Sequence, residues 1–258
     1  MPEGDTIHYA ANRLRPLLAG HVPDALRTPH PRFARDRWPE RLGGRAVTSV
    51  DAHGKHLFLR FEGDLVIHSH LRMTGSWRVL GPGARWPRSP RRAWLVLERA
   101  GSEAVEFDGP VLELLTAARA RNDPRIARLG PDILAPEFDA ERFLRRLRAD
   151  DPTRPIGDAL LDQQTIAGIG NLWKSEGCFA AAIDPWRPAG AVGDEEALAI
   201  VAATRPRMQQ SARDGFPARG VQVYGRAGTP CPRCGATIRA RGQGDANRIT
   251  YWCEACQR

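Results

Sequence analysis

The apolar residues at the start of the chain recur at helical spacing. They are Ile7, Ala11, Leu14, Leu17 and Leu18. Residues three or four positions apart lie on one face of a helix. The pattern therefore predicts an opening helix that ends near Gly20.

From residue 47 the apolar positions form short runs rich in β-branched and aromatic residues. The runs cover residues 47–50, 56–61, 65–68, 76–80, 93–97 and 104–107. Turn residues such as Gly63 and Asp64 separate them, which is typical of an antiparallel sandwich or barrel. The first half of the chain is therefore expected to be rich in strands.

Helical patterns return after residues 129–132. They cover residues 140–149, 155–164, 172–181 and 195–213. Pro206 is expected to kink or break the last helix because proline cannot donate a backbone hydrogen bond. The sequence thus predicts an α+β fold, with an N-terminal helix and an antiparallel β-sandwich domain followed by a helical domain.

Four of the five cysteines form two pairs near the end of the sequence. Cys231 and Cys234 are separated by two residues, as are Cys253 and Cys256, and eighteen residues lie between the pairs. This spacing predicts a zinc site. Four thiolates complete a tetrahedral coordination sphere, so the single Zn²⁺ would be structural. The segments 237–241 and 248–252 are expected to form a hairpin between the pairs.

The charge balance indicates a class of binding partner. The 258 residues carry a net charge of +8, from 38 lysines and arginines against 30 aspartates and glutamates. All the basic residues except Lys55 and Lys174 are arginines. Arginine binds phosphate through two-pronged hydrogen bonds, so the composition favours a polyanionic partner. A genome of high G+C content would also favour arginine, and composition leaves both explanations open.

The sequence contains no sign of membrane insertion or secretion. No apolar run reaches the roughly eighteen residues that a membrane-spanning helix needs. The N-terminus has no basic segment followed by an apolar core, which a secretory signal would show. We therefore expect a cytoplasmic protein. As a separate expectation, the protein acts as a monomer.

The segment before the opening helix holds a candidate nucleophile. Removal of Met1 would leave Pro2 with a free secondary amine, and an α-amino group has a pKa of about 8, so part of it is unprotonated near neutrality. Attack on a carbonyl-like carbon would form an iminium ion, and Glu3 would donate or accept the protons involved. Proline and acidic residues also suit the first turn of a helix, which gives both residues a structural explanation.

Three further positions are candidate phosphate ligands. Asn171 follows the turn 168–170, where it would either cap the next helix or help a phosphate to bind beside the free NH groups. Lys55 follows Gly54 in a turn, and Arg248 begins a strand of the cysteine hairpin. Each of these two is either a phosphate ligand or a solvated surface cation.

Arg72, Met73 and Thr74 lie between two predicted strands. A bulky apolar side chain in such a loop would either insert into a base stack or pack in the protein core.

Six motifs occur in order along the chain. They are MPEG at 1–4, HGK at 53–55, LGPD at 129–132, LLDQ with IAGIGN across 160–171, VYGRAGTPCPRCG at 223–235 and CEACQ at 253–257. Together they resemble the formamidopyrimidine-DNA glycosylase and endonuclease VIII family over nearly the whole chain. The resemblance implies a catalytic β-sandwich domain at 1–128, a DNA-binding domain with a helix-two-turn-helix motif at 129–222, and a zinc finger at 223–258.

The resemblance also implies an activity, that of a bifunctional base excision repair enzyme of the bacterial cytoplasm acting on damaged DNA. The enzyme would flip out an oxidised base, attack C1′ of its nucleotide with Pro2, and use Glu3 as general acid. It would then cut the strand by β- and δ-elimination. Lys55, Asn171 and Arg248 would bind the phosphates beside the lesion, and Lys55 and Arg248 would also assist elimination.

Several residues indicate which branch of this family the chain resembles and which type of damaged base it would remove. Arg72, Met73 and Thr74 lie where the family places residues that fill the gap left by the flipped nucleotide. The purine-specific branch carries Asp-x-Arg-x-Phe-Gly near the end of its β domain, whereas residues 107–113 read FDGPVLE. Together with MPEG in place of MPEL, this favours the endonuclease VIII branch and oxidised pyrimidines. Asp5-Thr6 replaces the usual Pro-Glu, which leaves the role of that second glutamate open.

A non-catalytic alternative also fits part of the sequence. A zinc-ribbon protein that senses abasic or distorted DNA would account for the charge and the cysteines. Binding alone does not require Pro2, Glu3 and Lys55, so their presence favours the enzyme.

Overall fold

The structure is a computed structural model that describes residues 2–33 and 35–258. It contains two compact units. The first comprises Pro2 and Thr6–Ala127, and the second comprises Glu3–Asp5 and Arg128–Arg258. The division into three domains at residues 128 and 222 stays a prediction.

The opening helix is present as predicted. Helix α1 spans Gly4–Leu18, and Ile7, Ala11, Leu14 and Leu18 are almost completely buried. The apolar face inferred from the spacing is therefore the face that packs into the core.

The rest of the first unit is a sandwich of two four-stranded antiparallel sheets. In spatial order, one sheet contains β2 (Val47–His53), β3 (His56–Phe61), β4 (Leu65–His70) and β8 (Val111–Thr116). The other contains β1 (Ala25–Arg27), β6 (Ala93–Arg99), β7 (Ser102–Phe107) and β5 (Ser76–Leu80). Three short helices complete the unit: α2 (Trp38–Leu42), α3 (Ala117–Asn122) and α4 (Pro124–Ala127).

One hydrophobic core joins the two sheets to α1. Leu57 and Ile67 from the first sheet and Leu95 and Leu97 from the second belong to the same buried cluster as Leu14. All six predicted strands are present. Strands β1 and β8 were not predicted, because β1 has only three residues and the β8 sequence VLELLT lacks a regular alternation of apolar and polar residues.

The second unit contains four helices around a separate core. They are α5 (Ala140–Ala149), α6 (Ile156–Ala159), α7 (Asn171–Ala180) and α8 (Asp194–Asp214). Phe143, Ile156, Trp173 and Ile200 lie in one buried cluster with Met208. The paired helices flanking residues 160–170 are the feature that the family resemblance predicted.

Two details of the predicted helices are wrong. The helix expected at 155–164 is only Ile156–Ala159, because side chains of the next residues bond to local backbone groups: Asp162 accepts from Gln164 N and Gln163 donates to Ile169 O. Helix α8 continues through Pro206 without a break. Thr204 and Met208 on either side are fully buried, so packing offsets the hydrogen bond that proline cannot make.

A hairpin ends the chain. Strand β9 (Arg239–Gln243) pairs with β10 (Arg248–Trp252), with Arg248 opposite Gln243. The first strand begins two residues later than predicted, because the backbone of Thr237 and Ile238 instead pairs with Pro230 and Thr229. None of the helices in the described part of the chain is long and apolar enough to cross a membrane.

Candidate active site

The carboxylate of Glu3 binds the N-terminus of helix α7. Glu3 is only 1% exposed, and it accepts hydrogen bonds from the backbone nitrogens of Gly170 at 3.0 Å, Leu172 at 2.9 Å and Trp173 at 3.3 Å. The first NH groups of a helix lack partners within it and carry partial positive charge, so an anion is stabilised there. Three donors therefore fix the position of the Glu3 carboxylate.

The position of Glu3 contradicts one prediction about the start of α7 and alters another. Glu3 provides the cap, so the interpretation of Asn171 as the cap of α7 is wrong. The same carboxylate occupies the NH groups at which a phosphate was expected to bind. Asn171 is instead the first residue of α7, and its Nδ2 donates to the backbone oxygen of Ile249 in β10 at 2.7 Å.

Glycines allow this close approach. The nitrogen of Gly4 donates to the oxygen of Gly168 at 2.9 Å, and a Cβ atom on Gly4 would lie 2.8 Å from Gly168 Cα. A Cβ atom on Gly170 would lie 2.3 Å from the carboxyl carbon of Glu3. The Gly-Ile-Gly turn therefore makes room for the residues that follow Pro2. Pro2 itself is partly exposed.

Asp5 is held by a buried ion pair that the sequence did not reveal. Its carboxylate, 1% exposed, accepts from Arg219 Nε at 2.7 Å, from Arg219 Nη2 at 2.8 Å and from Ser211 Oγ at 2.6 Å. Asp5 replaces a residue of the usual Pro-Glu pair, and the structure gives it a role as the ion-pair partner of Arg219 within the second unit.

Lys174 fastens the hairpin to α7. It is fully buried, and its Nζ donates to Thr250 Oγ1 at 2.6 Å and lies 3.4 Å from Gln243 Oε1. Burial lowers the pKa of Lys174 to about 8. Arg248, two residues before Thr250, is exposed, and its side chain has no hydrogen bond or ion pair among the residues described. Glu3, Asn171 and Arg248 thus all belong to the second unit.

The other predicted phosphate ligand lies in the first unit. Lys55 is partly exposed in the turn between β2 and β3, where Gly54 has a φ of 56°. Only glycine adopts this left-handed conformation without strain, which explains the Gly-Lys sequence. The Lys55 turn is therefore formed as the motif predicted.

A pair of buried histidines lies in the strands beside this turn. His56 Nδ1 is 2.8 Å from His68 Nε2, and His68 Nδ1 is 3.2 Å from Glu113 Oε2. Burial and the neighbouring His70 lower the pKa of His56 to about 2, so His56 is neutral at physiological pH. Strand spacing alone could not distinguish these histidines from ordinary core residues.

The residues expected to fill a gap in DNA are on the surface. Met73 is 59% exposed, so its interpretation as a core residue is wrong. Arg72 and Thr74 are exposed beside it, and Arg72 adopts a left-handed backbone conformation with a φ of 48°.

A buried carboxyl group, Glu106, lies in β7. Its Oε1 accepts from Ser69 Oγ at 2.5 Å, and Ser69 Oγ accepts in turn from Trp77 Nε1 at 3.1 Å. Burial raises the pKa of Glu106 to about 8, so the carboxyl group is mostly protonated at neutral pH. No sequence pattern pointed to this residue.

The four paired cysteines come together as predicted. All their Sγ atoms lie within 4.8 Å of one another. The Sγ atoms of Cys231 and Cys256 are 3.9 Å apart, and those of Cys234 and Cys253 are 3.6 Å apart. Tetrahedral coordination with a metal–sulfur distance of about 2.3 Å requires sulfurs about 3.8 Å apart. The cluster therefore fits a metal ion. Cys178 is buried elsewhere, in the helical core, as expected.

Two family models match the sequence. The formamidopyrimidine-DNA glycosylase N-terminal domain matches residues 1–110, and the formamidopyrimidine-DNA glycosylase H2TH domain matches residues 129–219.

Relatives match over the full chain. A probable endonuclease 8 2 of Streptomyces coelicolor is 43% identical over 267 residues, covering 100% of this chain and 94% of the relative. The DNA-(apurinic or apyrimidinic site) lyase Nei2 of Mycolicibacterium smegmatis is 38% identical over 263 residues, covering 100% and 99%. Lactococcus lactis formamidopyrimidine-DNA glycosylase, solved in complex with DNA that contains an abasic site, has the same fold, with a TM-score of 0.82, 24% identity and 100% coverage of both chains.

The chain therefore belongs to the formamidopyrimidine-DNA glycosylase and endonuclease VIII family of DNA glycosylases and abasic-site lyases. It is more similar to these relatives named endonuclease 8 and Nei2 than to the formamidopyrimidine-DNA glycosylase of Thermus thermophilus, which is 34% identical, so the chain is closer to the endonuclease VIII branch, as the sequence motifs predicted.

Proposed function

We propose that this protein removes oxidised pyrimidines from DNA and cuts the strand at the resulting abasic site, with the amine of Pro2 as nucleophile. The observation that carries the proposal is the position of Glu3. Its carboxylate is buried and held by three backbone NH groups, directly beside Pro2 in sequence. A carboxylate held in this way, next in sequence to a nucleophilic amine, can accept the proton that the amine loses and pass it on.

The proposed reaction begins at C1′ of the flipped nucleotide. The nitrogen of Pro2 bonds to C1′ as the glycosidic bond breaks, and the base leaves with the bonding electrons and takes up a proton. Glu3 takes the proton that the Pro2 nitrogen loses and delivers it to the ring oxygen as the C1′–O4′ bond opens, which leaves an iminium ion on Pro2. The iminium ion acidifies C2′, so loss of a proton there breaks the 3′ C–O bond. A second elimination breaks the 5′ C–O bond, and water then releases Pro2.

Cations at the phosphates complete the proposed site. Lys55 and Arg248 bind the phosphates on either side of the lesion and stabilise the departing phosphate groups, and Asn171 binds one of them together with Arg248. Arg72 and Met73 fill the gap that base flipping leaves. The exposure of Arg248, Arg72 and Met73 supports these roles, because each must reach DNA.

The cysteine cluster holds one structural Zn²⁺ in this proposal. Four thiolates leave no open coordination position, so the ion supplies no catalytic group. Its task is to hold the hairpin that carries Arg248, together with the bonds from Lys174 and Asn171. We also propose the domain limits 1–128, 129–222 and 223–258, and DNA in the cytoplasm as the partner.

Incision of defined oligonucleotides tests the proposal. Duplexes with thymine glycol, dihydrouracil, 8-oxoguanine or an abasic site are incubated with the protein, and the ends at the cut are identified. We expect base release and cutting on both sides of the two oxidised pyrimidines and of the abasic site. Preference for 8-oxoguanine would contradict the proposed lesion class but not the proposed glycosylase and lyase activity. Tight binding without cutting at any site would support the non-catalytic sensor instead.

A further inference from the structure

The exposed Met73 lies in the middle of a tight turn at residues 71–75, which a backbone hydrogen bond closes. The turn joins β4 to β5, and the nitrogen of Gly75 donates to the oxygen of Leu71 at 2.9 Å. A Cβ atom on Gly75 would lie 2.8 Å from that oxygen, so the turn closes only with glycine. Leu71 is buried and Met73 is 59% exposed. The turn therefore has one side anchored in the core while Met73 projects away from it.

A second segment binds the outer part of the turn. The hydroxyl of Thr74 donates to the backbone oxygen of Asp108 at 3.1 Å, and Arg88 Nη1 donates to the backbone oxygen of Thr74 at 3.1 Å. The same Arg88 nitrogen also bonds to the Asp108 carboxylate. Asp108 and Arg88 thus hold Thr74, the neighbour of Met73, through both its side chain and its backbone.

Asp108 is the centre of this network. Besides Arg88, it binds Arg92, whose Nε lies 2.9 Å from Oδ1 of the carboxylate. The Asp108 side chain is only 18% exposed. Partial burial opposes its ionisation, but the hydrogen bonds from Arg92 and Arg88 lower its pKa. Asp108 also holds a left-handed backbone conformation, with a φ of 51°, which costs a non-glycine residue energy and persists only where neighbouring contacts enforce it.

The loop that supplies the two arginines is itself fixed. Trp86 Nε1 donates to Glu103 Oε2 at 2.6 Å, and the Trp86 ring packs edge-on against Phe107 at 5.5 Å. Arg88 and Arg92 are therefore presented from a loop that is bound to β7 at an independent point. The Met73 turn is positioned before any DNA arrives.

We propose that Asp108 and Arg88 are positioning residues that hold Met73 ready to insert into duplex DNA, and that they thereby set a preference for duplex over single-stranded substrates. This inference rests on the function proposed above. An ordered side chain loses less freedom on binding, so preorganisation favours insertion. Insertion is needed only where a flipped nucleotide leaves a gap inside a base-paired stack. A single strand has no such gap, so the network should not affect its cleavage.

Single-turnover cutting of one abasic-site oligonucleotide, as a duplex and as a single strand, tests this inference. The variants Asp108→Asn and Arg88→Gln should slow cutting of the duplex about tenfold or more, because misplacement of a positioning group by about 1 Å has effects of this order or larger. Their rates on the single strand should stay close to the wild-type rate, because a single strand has no gap for Met73 to fill. Arg85→Gln is the matched control, since Arg85 is an exposed arginine of the same loop without a bond to Thr74 or Asp108 among the described residues.

A double variant and a fluorescence measurement complete the test. Met73→Ala should show the same loss on the duplex, and Asp108→Asn should add little to it, because both changes remove one function. 2-Aminopurine beside the abasic site should report weaker unstacking in Asp108→Asn. Three results would overturn the inference: Asp108→Asn loses equal activity on both substrates, Asp108→Asn keeps full activity on the duplex, or its loss adds to that of Met73→Ala in the double variant. A wild-type protein that cuts neither substrate would instead overturn the proposed function.

Discussion

Gly170 and Glu3 are packed so closely that a Cβ atom on the glycine would lie 2.3 Å from the carboxyl carbon of Glu3. The backbone of Gly170 does not require glycine for its conformation, because its φ is −123°. Glycine is needed here only to leave space for the carboxylate. The IAGIGN motif therefore serves the residue next to the proposed nucleophile, more than 160 positions away in the sequence.

Gly170→Ala should accordingly displace Glu3 from its three NH donors. We expect cutting of abasic-site DNA to fall about a hundredfold, which is the scale of effect when a reacting group is misplaced by about 1 Å. Single-turnover kinetics measure the effect. Gly81→Ala is the control, because nothing lies within 4 Å of a Cβ atom at Gly81. Undiminished activity in Gly170→Ala would argue against a catalytic role for the position of Glu3.

Removal of the Asp5 carboxylate should destabilise the protein strongly. In Asp5→Ala, the buried Arg219 would lose the carboxylate that accepts from its Nε and Nη2, and breaking a buried ion pair in this way costs about 3 to 5 kcal/mol. Urea denaturation measures the free energy of unfolding. Arg145→Ala, which breaks an exposed pair with Glu141, should leave that free energy nearly unchanged. Equal effects of the two substitutions would contradict the importance assigned to the Asp5–Arg219 pair.

Glu106 makes stability depend on pH in a defined direction. Its pKa is about 8 in the folded protein against an ordinary value of 4.5. Between these pH values the folded state keeps a proton that the unfolded state loses, so the contribution of Glu106 to stability falls as pH rises. The glutamine side chain in Glu106→Gln does not titrate. Its stability relative to wild type should therefore increase from pH 5 to pH 8, by about 1.4 kcal/mol for each pH unit at most. Denaturation at several pH values checks this, and a constant difference would contradict it.

Loss of the metal should impair DNA binding through the hairpin. Removal of Zn²⁺ by a thiol-directed mercurial with a chelator should release one ion per chain and weaken binding to abasic-site DNA, because Arg248 would lose its rigid support. Metal content is measured by atomic spectroscopy and binding by fluorescence anisotropy. Cys253→Ser should behave like the stripped protein, whereas Cys178→Ala should retain its ion because Cys178 lies in the helical core. Unchanged DNA affinity after complete metal loss would contradict the role given to the hairpin.

The features that could be predicted from the sequence are those encoded by nearby residues. Helix α1 follows from apolar residues three or four positions apart, and the metal site follows from two cysteine pairs with short spacing. Strands β2 to β7 of the sandwich follow from compact apolar runs. Asn171 was correctly placed at a helix start, but its contact with Ile249 was not foreseen.

The contacts that were missed join distant parts of the chain. Glu3 and Leu172 are 169 positions apart, and Asp5 and Arg219 are 214 positions apart. No periodic pattern links such residues, since each pair is brought together only by the packing of the second unit. Arg88 and Asp108 were missed for a different reason. Both lie in loops, where spacing carries little information about contacts.

The attachment point of DNA after borohydride reduction tests the central claim most directly. Apart from the α-amino group, the chain has only the amines of Lys55 and Lys174, so peptide mapping by mass spectrometry can distinguish all three. We predict that abasic-site DNA is attached to the nitrogen of Pro2 in wild type, and that the attachment site is the same in Lys55→Arg and Lys174→Arg. Attachment to a lysine, or efficient cutting by protein that retains Met1, would contradict the account.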